Sequence, residues 1–223
     1  MRIVLAFLAL LLLAAAPAPD RLLETIVAAA RAADPATTAF ERTARTTASE
    51  ADSSPETHVR TDRWNGQTLV PLTVDGKPAS AAQVAEQQNA TKGRPVPGYH
   101  RLADFLKGGA ARTIDAQGRT VYRITGFPKG TINIGKDISA DLVGEALVDS
   151  SGPQPYVSRL RIYLPKPLSF FMVAKLDAFE IVNEYRPGPG GRPALAKGVQ
   201  SMTGAQFGKS GTTRTEASYT VLR

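Results

Sequence analysis

The sequence predicts a mainly β protein of the α+β class, built on a strongly curved antiparallel sheet that forms a half-barrel. Many short segments have the apolar–polar alternation or the β-branched composition of strands, and turn signals such as Asn65-Gly66 and Asp75-Gly76 separate them. Only a few segments show the period of a helix. Strands joined by short turns pair antiparallel, and a sheet of about ten strands must curl or close, since a flat one would expose an apolar face.

An N-terminal helix is predicted over Arg21–Ala33, with Asp20 as its N-cap. Pro71 lies inside one predicted strand and indicates an edge or a bulge there. In another strand, alternation places Tyr156, Ser158, Leu160, Ile162 and Leu164 on one face. The predicted strands are Thr38–Thr47, Glu56–Trp64, Thr68–Val74, Ala111–Ile114, Arg119–Thr125, Ser139–Asp149, Tyr156–Leu164, Phe179–Arg186, Leu195–Phe207 and Thr212–Leu222.

A helical insertion near residues 80–107 interrupts the strands. Ser80 and Gln83 form a capping box, which predicts a helix that packs lightly because Val84 is its single large apolar residue. A second helix is predicted over Tyr99–Lys107, with its apolar residues on one face. We expect these helices to lie on the concave side of the sheet as a short lid.

The first 19 residues have the three parts of a secretory signal peptide. Arg2 is followed by an apolar run over residues 3–13 and by the small residues of 14–18. A membrane anchor is the alternative, and it is disfavoured because the run is shorter than the ~20 residues needed to span a bilayer. We therefore expect a signal peptide over residues 1–18 and one soluble domain over residues 19–223, exported to the periplasm.

The chain has no cysteine, which excludes disulfides, thiolate nucleophiles and cysteine-ligated metal sites. It also excludes a lipid-modified cysteine, so we expect a protein without a lipid anchor. His58 and His100 are the two histidines, and their spacing matches no zinc motif. No Gly-x-Ser-x-Gly elbow of a hydrolase is present. The sequence therefore predicts no catalytic residue, no metal and no cofactor.

Three further segments could suggest ligands. Residues 204–210 resemble a phosphate-binding loop, but β-prone residues follow where a helix is required, so we interpret them as a hairpin turn. Asp137 and Asp141 flank Ser139 without a glycine-centred acidic loop, which favours solvated carboxylates over a calcium site. The cluster Phe170-Phe171-Met172 is either an exposed contact patch or, more commonly for such residues, core.

The net charge of +7 is concentrated in the C-terminal third, where residues 155–223 carry ten Lys or Arg and four Asp or Glu. Such a bias suits an anionic membrane surface or an acidic partner. Export argues against nucleic acid as a partner. The alternative is that these charges are solvated strand faces that keep the protein soluble. The candidate residues for a basic surface are Arg159, Arg161, Lys166 and Lys175.

Two parts of the sequence carry a resemblance to a known family. The segments Leu142–Asp149 and Pro155–Ile162, followed by a Gly/Pro turn into Leu195, resemble the half-barrel of the periplasmic lipoprotein carriers of the LolA/LolB type. The segment from Arg63-Trp64 to Leu72–Pro78 resembles uncharacterised exported bacterial proteins of the same general type. This resemblance implies a curved sheet around an apolar cavity, with helices as a lid and acyl chains as the ligand.

The sequence therefore favours a non-enzymatic periplasmic binding or carrier protein for a lipid, acylated or other amphiphilic ligand. Two alternatives remain open: an envelope regulator or assembly protein that binds another protein through the same fold, and an unrecognised hydrolase. A cavity, if present, should be lined by large apolar residues on the inward faces; the competing expectation is a filled core. The candidate lining residues are Leu72, Leu102, Phe105, Leu106, Leu142, Leu160, Ile162 and Phe179.

Overall fold

The computed structural model of the protein describes residues 20–34, 38–51, 53–91, 96–107, 109–170 and 174–222. The predicted signal peptide lies outside these residues, as do Phe171 and Met172 of the aromatic cluster. Phe170 is described and is half-buried at the end of a short strand.

The described part of the chain contains three α-helices and twelve strands. The helices are α1 (Arg21–Ala32), α2 (Ala81–Thr91) and α3 (Arg101–Lys107). The strands are β1 (Phe40–Glu50), β2 (Glu56–Trp64), β3 (Leu69–Val74), β4 (Lys77–Pro78), β5 (Ala110–Ile114), β6 (Thr120–Thr125), β7 (Val143–Asp149), β8 (Tyr156–Tyr163), β9 (Leu168–Phe170), β10 (Ala174–Pro187), β11 (Pro193–Gln206) and β12 (Lys209–Val221). Short 3-10 turns cover Ser139–Asp141 and Pro189–Gly191.

All twelve strands belong to one antiparallel sheet that does not close on itself. The strand order is β4-β3-β2-β1-β12-β11-β10-β8-β7-β6-β5, with β9 paired to β10 beside this path. Most neighbours are consecutive in the chain, as short turns require, but β1 pairs along its whole length with β12. The prediction of a mainly β, antiparallel, curved sheet with an N-terminal helix and a helical insertion is confirmed.

Helices α1 and α3 cover one face of the sheet and form the main core with it. Ile26 of α1 and Leu102 of α3 are fully buried, and they belong to the same cluster as Tyr122, Leu160 and Phe179 from the strands. We call this covered face the concave face of the sheet. None of the described helices is long and apolar enough to cross a bilayer.

The two predicted helix caps are present. The Oδ1 atom of Asp20 accepts hydrogen bonds from the backbone N–H groups of Leu22 and Leu23, both at 3.1 Å. In the capping box of α2, Gln83 Oε1 accepts from the Ser80 N–H at 2.9 Å, and Ser80 Oγ accepts from the Gln83 N–H at 3.3 Å. The light packing predicted for α2 is also confirmed, because none of its residues is buried.

Two bulges shift the predicted alternation. In β3, Thr73 faces Thr61 and Pro71 faces Asp62, so Leu72 is the extra residue; Pro71 is buried and Leu72 only half-buried. In β8 the extra residue is Ser158. The sequence interpretation of β8 was therefore wrong at its start, where Val157 is buried instead of Tyr156 and Ser158. A bulge puts two residues opposite one and reverses the faces beyond it.

The segment 126–142 is a loop and not the start of a strand, so β7 begins at Val143 instead of Ser139. Asp137 organises this loop: it accepts hydrogen bonds from the Ser139 hydroxyl at 2.5 Å and from the Gly130 N–H at 2.8 Å. The hydrogen bond from the Ser139 hydroxyl contributes most to a lowered pKa of Asp137, and the backbone hydrogen bonds lower it further. The predicted hairpin turn within residues 204–210 is confirmed, with Phe207 and Gly208 at positive φ between β11 and β12.

Candidate ligand-binding site

The buried apolar residues form two separate clusters on the concave side. The larger lies beneath α1 and α3. The smaller consists of Phe40, Trp64 and Leu69 from β1, β2 and β3, with Val96 and Tyr219 packed against it. Phe40 stacks on Trp64 with ring centroids 6.4 Å apart and meets Tyr219 edge-on at 5.6 Å. Tyr219 also packs against the larger cluster, so it connects the two.

A pocket of about 60 Å³ lies between the two clusters. Four distant parts of the chain build it: the end of α1, the segment before α3, the start of β11, and the paired ends of β1 and β12. Its lining is mostly apolar and aromatic, and its titratable members are Asp34, His100 and two tyrosines. The lining residues are Ala33, Asp34, Thr38, Phe40, Pro97, Gly98, Tyr99, His100, Pro193, Ala194, Leu195, Tyr219 and Val221.

The tyrosines fix the walls of this pocket. The Tyr99 hydroxyl accepts a hydrogen bond from the Val157 N–H at 3.0 Å, and its ring packs edge-on against Tyr185 at 5.2 Å. Burial raises the pKa of Tyr99 to about 12 and also raises the pKa of Tyr219. Both therefore stay neutral at physiological pH. Burial, followed by the charge of Arg101, lowers the pKa of His100, which favours its neutral form as well.

Beyond the pocket, the concave face of β12, β1 and β2 becomes charged and then polar. Arg42 lies opposite both Tyr219 and Asp62. Arg42 donates to Asp62 Oδ2 from Nε at 3.0 Å and from Nη2 at 2.5 Å, and Arg60 donates to the same atom from Nε at 3.2 Å. Asp62 is fully buried. The next rows hold Ala44 and then Thr46, whose hydroxyl lies 3.0 Å from that of Thr215.

Seven of the eight predicted cavity residues are buried in the larger cluster. Their side chains pack there, and none of them lines the pocket between the clusters. Leu72 differs because the bulge in β3 turns it away from the buried side. The seven are Leu102, Phe105, Leu106, Leu142, Leu160, Ile162 and Phe179.

The predicted basic residues are dispersed, and two of them are neutralised by carboxylates. Arg161 donates to Glu180 at 2.6 Å and lies 3.7 Å from Glu145, and Lys175 lies 2.5 Å from Asp177. Arg159 and Lys166 are exposed, and neither forms an ion pair among the described residues. The positive excess of the C-terminal third is thus divided between paired and solvated side chains.

The two histidines lie in different environments. His58 Nδ1 lies 2.9 Å from Asp75 Oδ2, and both side chains are exposed. The hydrogen bond and then the charge of Asp75 raise the pKa of His58. His100 is at the pocket. Within the described ranges, no group of three or more His, Asp or Glu could hold a metal ion.

A second depression, of about 590 Å³, lies at the surface beside α3. Its lining includes Arg101, Asp104, Lys107 and residues 128–131. It contains charged side chains and loop backbone without a buried apolar wall. It therefore lacks the features of a site for an acyl chain.

The sequence interpretation missed Phe40, Tyr219 and the Arg42–Asp62–Arg60 group as parts of a site. One signal was available: Asp62 and Arg60 alternate with Trp64 on one side of β2, so an acidic and a basic residue share a face with the single tryptophan. The partners of that face on β1 and β12 could not be deduced locally, because β12 is the last strand of the chain.

No known family model matches this chain. No curated protein matches it either. Among solved structures, the chain is similar to the crystal structure of a LolA superfamily protein from Nitrosomonas europaea, at 10% identity over 91% of this chain and 92% of that one, with a TM-score of 0.35. At this identity and TM-score, the similarity identifies no ligand and no site residue.

Proposed function

We propose that this protein is a non-enzymatic periplasmic binding or carrier protein whose ligand is a lipid, an acylated molecule or another amphiphile. The observation that supports this proposal is the pocket between the two apolar clusters. Its aromatic and aliphatic walls, among them Phe40, Tyr99, Leu195 and Tyr219, match an apolar chain. The charged row that begins at Arg42 matches a polar head.

The pocket must enlarge to hold a whole chain. Its volume of about 60 Å³ is small compared with the roughly 300–1,000 Å³ of typical small-molecule sites. One wall is residues 97–100, which directly precede the buried α3. Movement of this wall would enlarge the pocket. Binding would then be driven by removal of the chain from water, worth ~0.8 kcal/mol per CH₂ group, without covalent chemistry.

Binding of a neutral fluorescent apolar probe, N-phenyl-1-naphthylamine, to delipidated protein tests the proposal. We expect saturable binding that Ala33→Phe weakens and Ala32→Phe leaves unchanged. Ala33 lines the pocket, whereas its neighbour Ala32 is exposed at the end of α1. The same substitution one residue apart therefore separates obstruction of the pocket from a general effect on the helix.

Two controls make the test decisive. Thermal unfolding of both variants shows whether the fold is intact, and should Ala33→Phe unfold, Val221→Phe obstructs the same pocket from β12. The absence of saturable probe binding to the delipidated protein would overturn the proposal. Equal binding by the obstructed and control variants would also overturn it. Mass spectrometry of organic extracts from freshly purified protein would identify the natural ligand.

A further inference from the structure

Two arginines on the concave face share a single carboxylate. Arg42 and Arg60 both pair with Asp62, and no second acidic side chain pairs with either of them among the described residues. The group therefore carries one uncompensated positive charge. A buried aspartate with two cationic partners is more than neutralised, and the excess charge lies on whichever arginine reaches solvent.

The excess charge lies on Arg60. Arg42 is held on Asp62 by two nitrogen atoms, also contacts Tyr219, and is only 16% exposed. Arg60 uses only Nε, and its side chain is 37% exposed. Its two Nη groups donate to no described residue. A guanidinium with two unused terminal groups can bind a carboxylate or phosphate in a bidentate manner.

Arg60 is the exposed member of a row of small, mostly buried residues. Its neighbour on β1 is Ala44, which is followed across the sheet by Ala217 and Gly198. This row of small residues lies between the row of Arg42 and the hydroxyl pair of Thr46 and Thr215. A head group would approach Arg60 from its exposed side, and the carboxylate in the neighbouring row, Asp62, is buried and already paired with both arginines.

The distance between the pocket and Arg60 is one that a single ligand can span. Phe40 lines the pocket, and Arg42 and Ala44 follow it on the same face at two-residue steps of about 7 Å. An apolar chain in the pocket would thus place its polar end within one or two steps of Arg60. We propose that Arg60, positioned by Asp62 and Arg42, binds the anionic head group, a carboxylate or a phosphate, of the amphiphile. This inference rests on the proposed function.

The test is displacement of the neutral probe by single-chain amphiphiles that differ only in their heads. Dodecyl phosphate, a neutral dodecyl glycoside and a dodecyl trimethylammonium salt form the set, with inorganic phosphate as the head without a tail. We expect dodecyl phosphate to bind at least about tenfold more tightly than the neutral compound. This difference in affinity corresponds to the free energy of one charge-assisted hydrogen bond. Inorganic phosphate should not displace the probe.

Substitution of the arginine identifies the site. Arg60→Gln should remove the preference for dodecyl phosphate and leave the neutral compound unchanged, and Arg60→Lys should keep part of it because the charge remains. Arg45→Gln is the matched control, since Arg45 lies exposed on the opposite face of β1. Equal affinity for the anionic and neutral compounds, or an equal effect of Arg45→Gln, would overturn the inference while the proposed function stands. If the probe itself does not bind, the proposed function fails first.

Discussion

The two halves of the concave face differ in what lies above them. Strands β6, β7, β8 and β10 present large apolar residues to α1 and α3. Strands β12, β1 and β2 present two arginines, a buried aspartate, threonines and small residues, with an apolar cluster of only three buried side chains at one end. One continuous sheet therefore serves two purposes. The first half provides stability through packing, and the second carries the charged and polar groups on which the proposed ligand site depends.

The largest effect should come from the covered half. Phe105 is buried in α3, and its ring packs edge-on against Phe127 at 5.3 Å. Phe105→Ala should lower the free energy of unfolding by ~3–5 kcal/mol, because it leaves a cavity in a packed core. Phe207→Ala, at the exposed tip of the β11–β12 hairpin, should change it by less than about 0.5 kcal/mol. Urea denaturation measures both. A small loss for Phe105→Ala would indicate an unfilled space beside α3.

The next effect concerns the open half. Asp62→Asn should lower the free energy of unfolding by about 3 kcal/mol, because two arginines would then face each other without a buried counter-charge. The control is Glu41→Gln on the other face of the same strand pair. Glu41 pairs with Arg63 at 2.6 Å near the surface, and such pairs contribute about 0.2–1 kcal/mol. Equal losses of unfolding free energy for Asp62→Asn and Glu41→Gln would mean that the buried ion pair stabilises the protein no more than the surface pair does.

A smaller effect is expected at the start of α1. Asp20→Ala removes the N-cap and the hydrogen bond that Asp20 Oδ2 accepts from the Tyr122 hydroxyl at 2.8 Å. The expected loss is about 1–2 kcal/mol at neutral pH. Glu24→Ala, on an exposed position of the same helix, should cost much less.

The contribution of Asp20 should depend on pH. Burial works to raise the pKa of Asp20, but hydrogen bonds from Tyr122 and the backbone, together with the charge of Arg112, lower it overall. A carboxyl whose pKa falls on folding stabilises the protein above its unfolded value of 3.8, and this stability is lost as the pH drops through the lower folded value. The difference between wild type and Asp20→Ala should shrink below about pH 4. A difference that is constant with pH would contradict the role of the charge.

The smallest effect is expected in α2. Ser80→Ala removes one half of the capping box and should destabilise the helix itself by about 0.5–1 kcal/mol. Because α2 buries none of its residues, global unfolding should hardly change. Amide hydrogen exchange should be faster in α2 alone. Faster exchange in α3 as well would show that the two helices open together.

The sequence was sufficient for the fold class and insufficient for the site. Alternation correctly placed Leu160 and Ile162 of β8 on the buried face. It failed at Ser158, where no change of composition indicates the bulge, and at Leu72, where Pro71 indicates an edge or a bulge but not which residue is the extra one. The candidate cavity residues were selected as the largest apolar ones, and these are the residues that a packed core uses. The pocket is instead built by segments that lie far apart in the sequence.

The position of β12 in the sheet has a consequence for how the chain can fold. The last strand joins the two halves, pairing with β1 on one side and β11 on the other. During synthesis from the N-terminus, the sheet cannot be completed until residue 221 has been made. Until then, one edge of β1 stays unpaired and could pair with other chains. Contacts between residues so distant in sequence also form slowly. Loss of β12 would therefore separate the two halves of the sheet. It would also remove Tyr219 from the boundary between the packed and the open side.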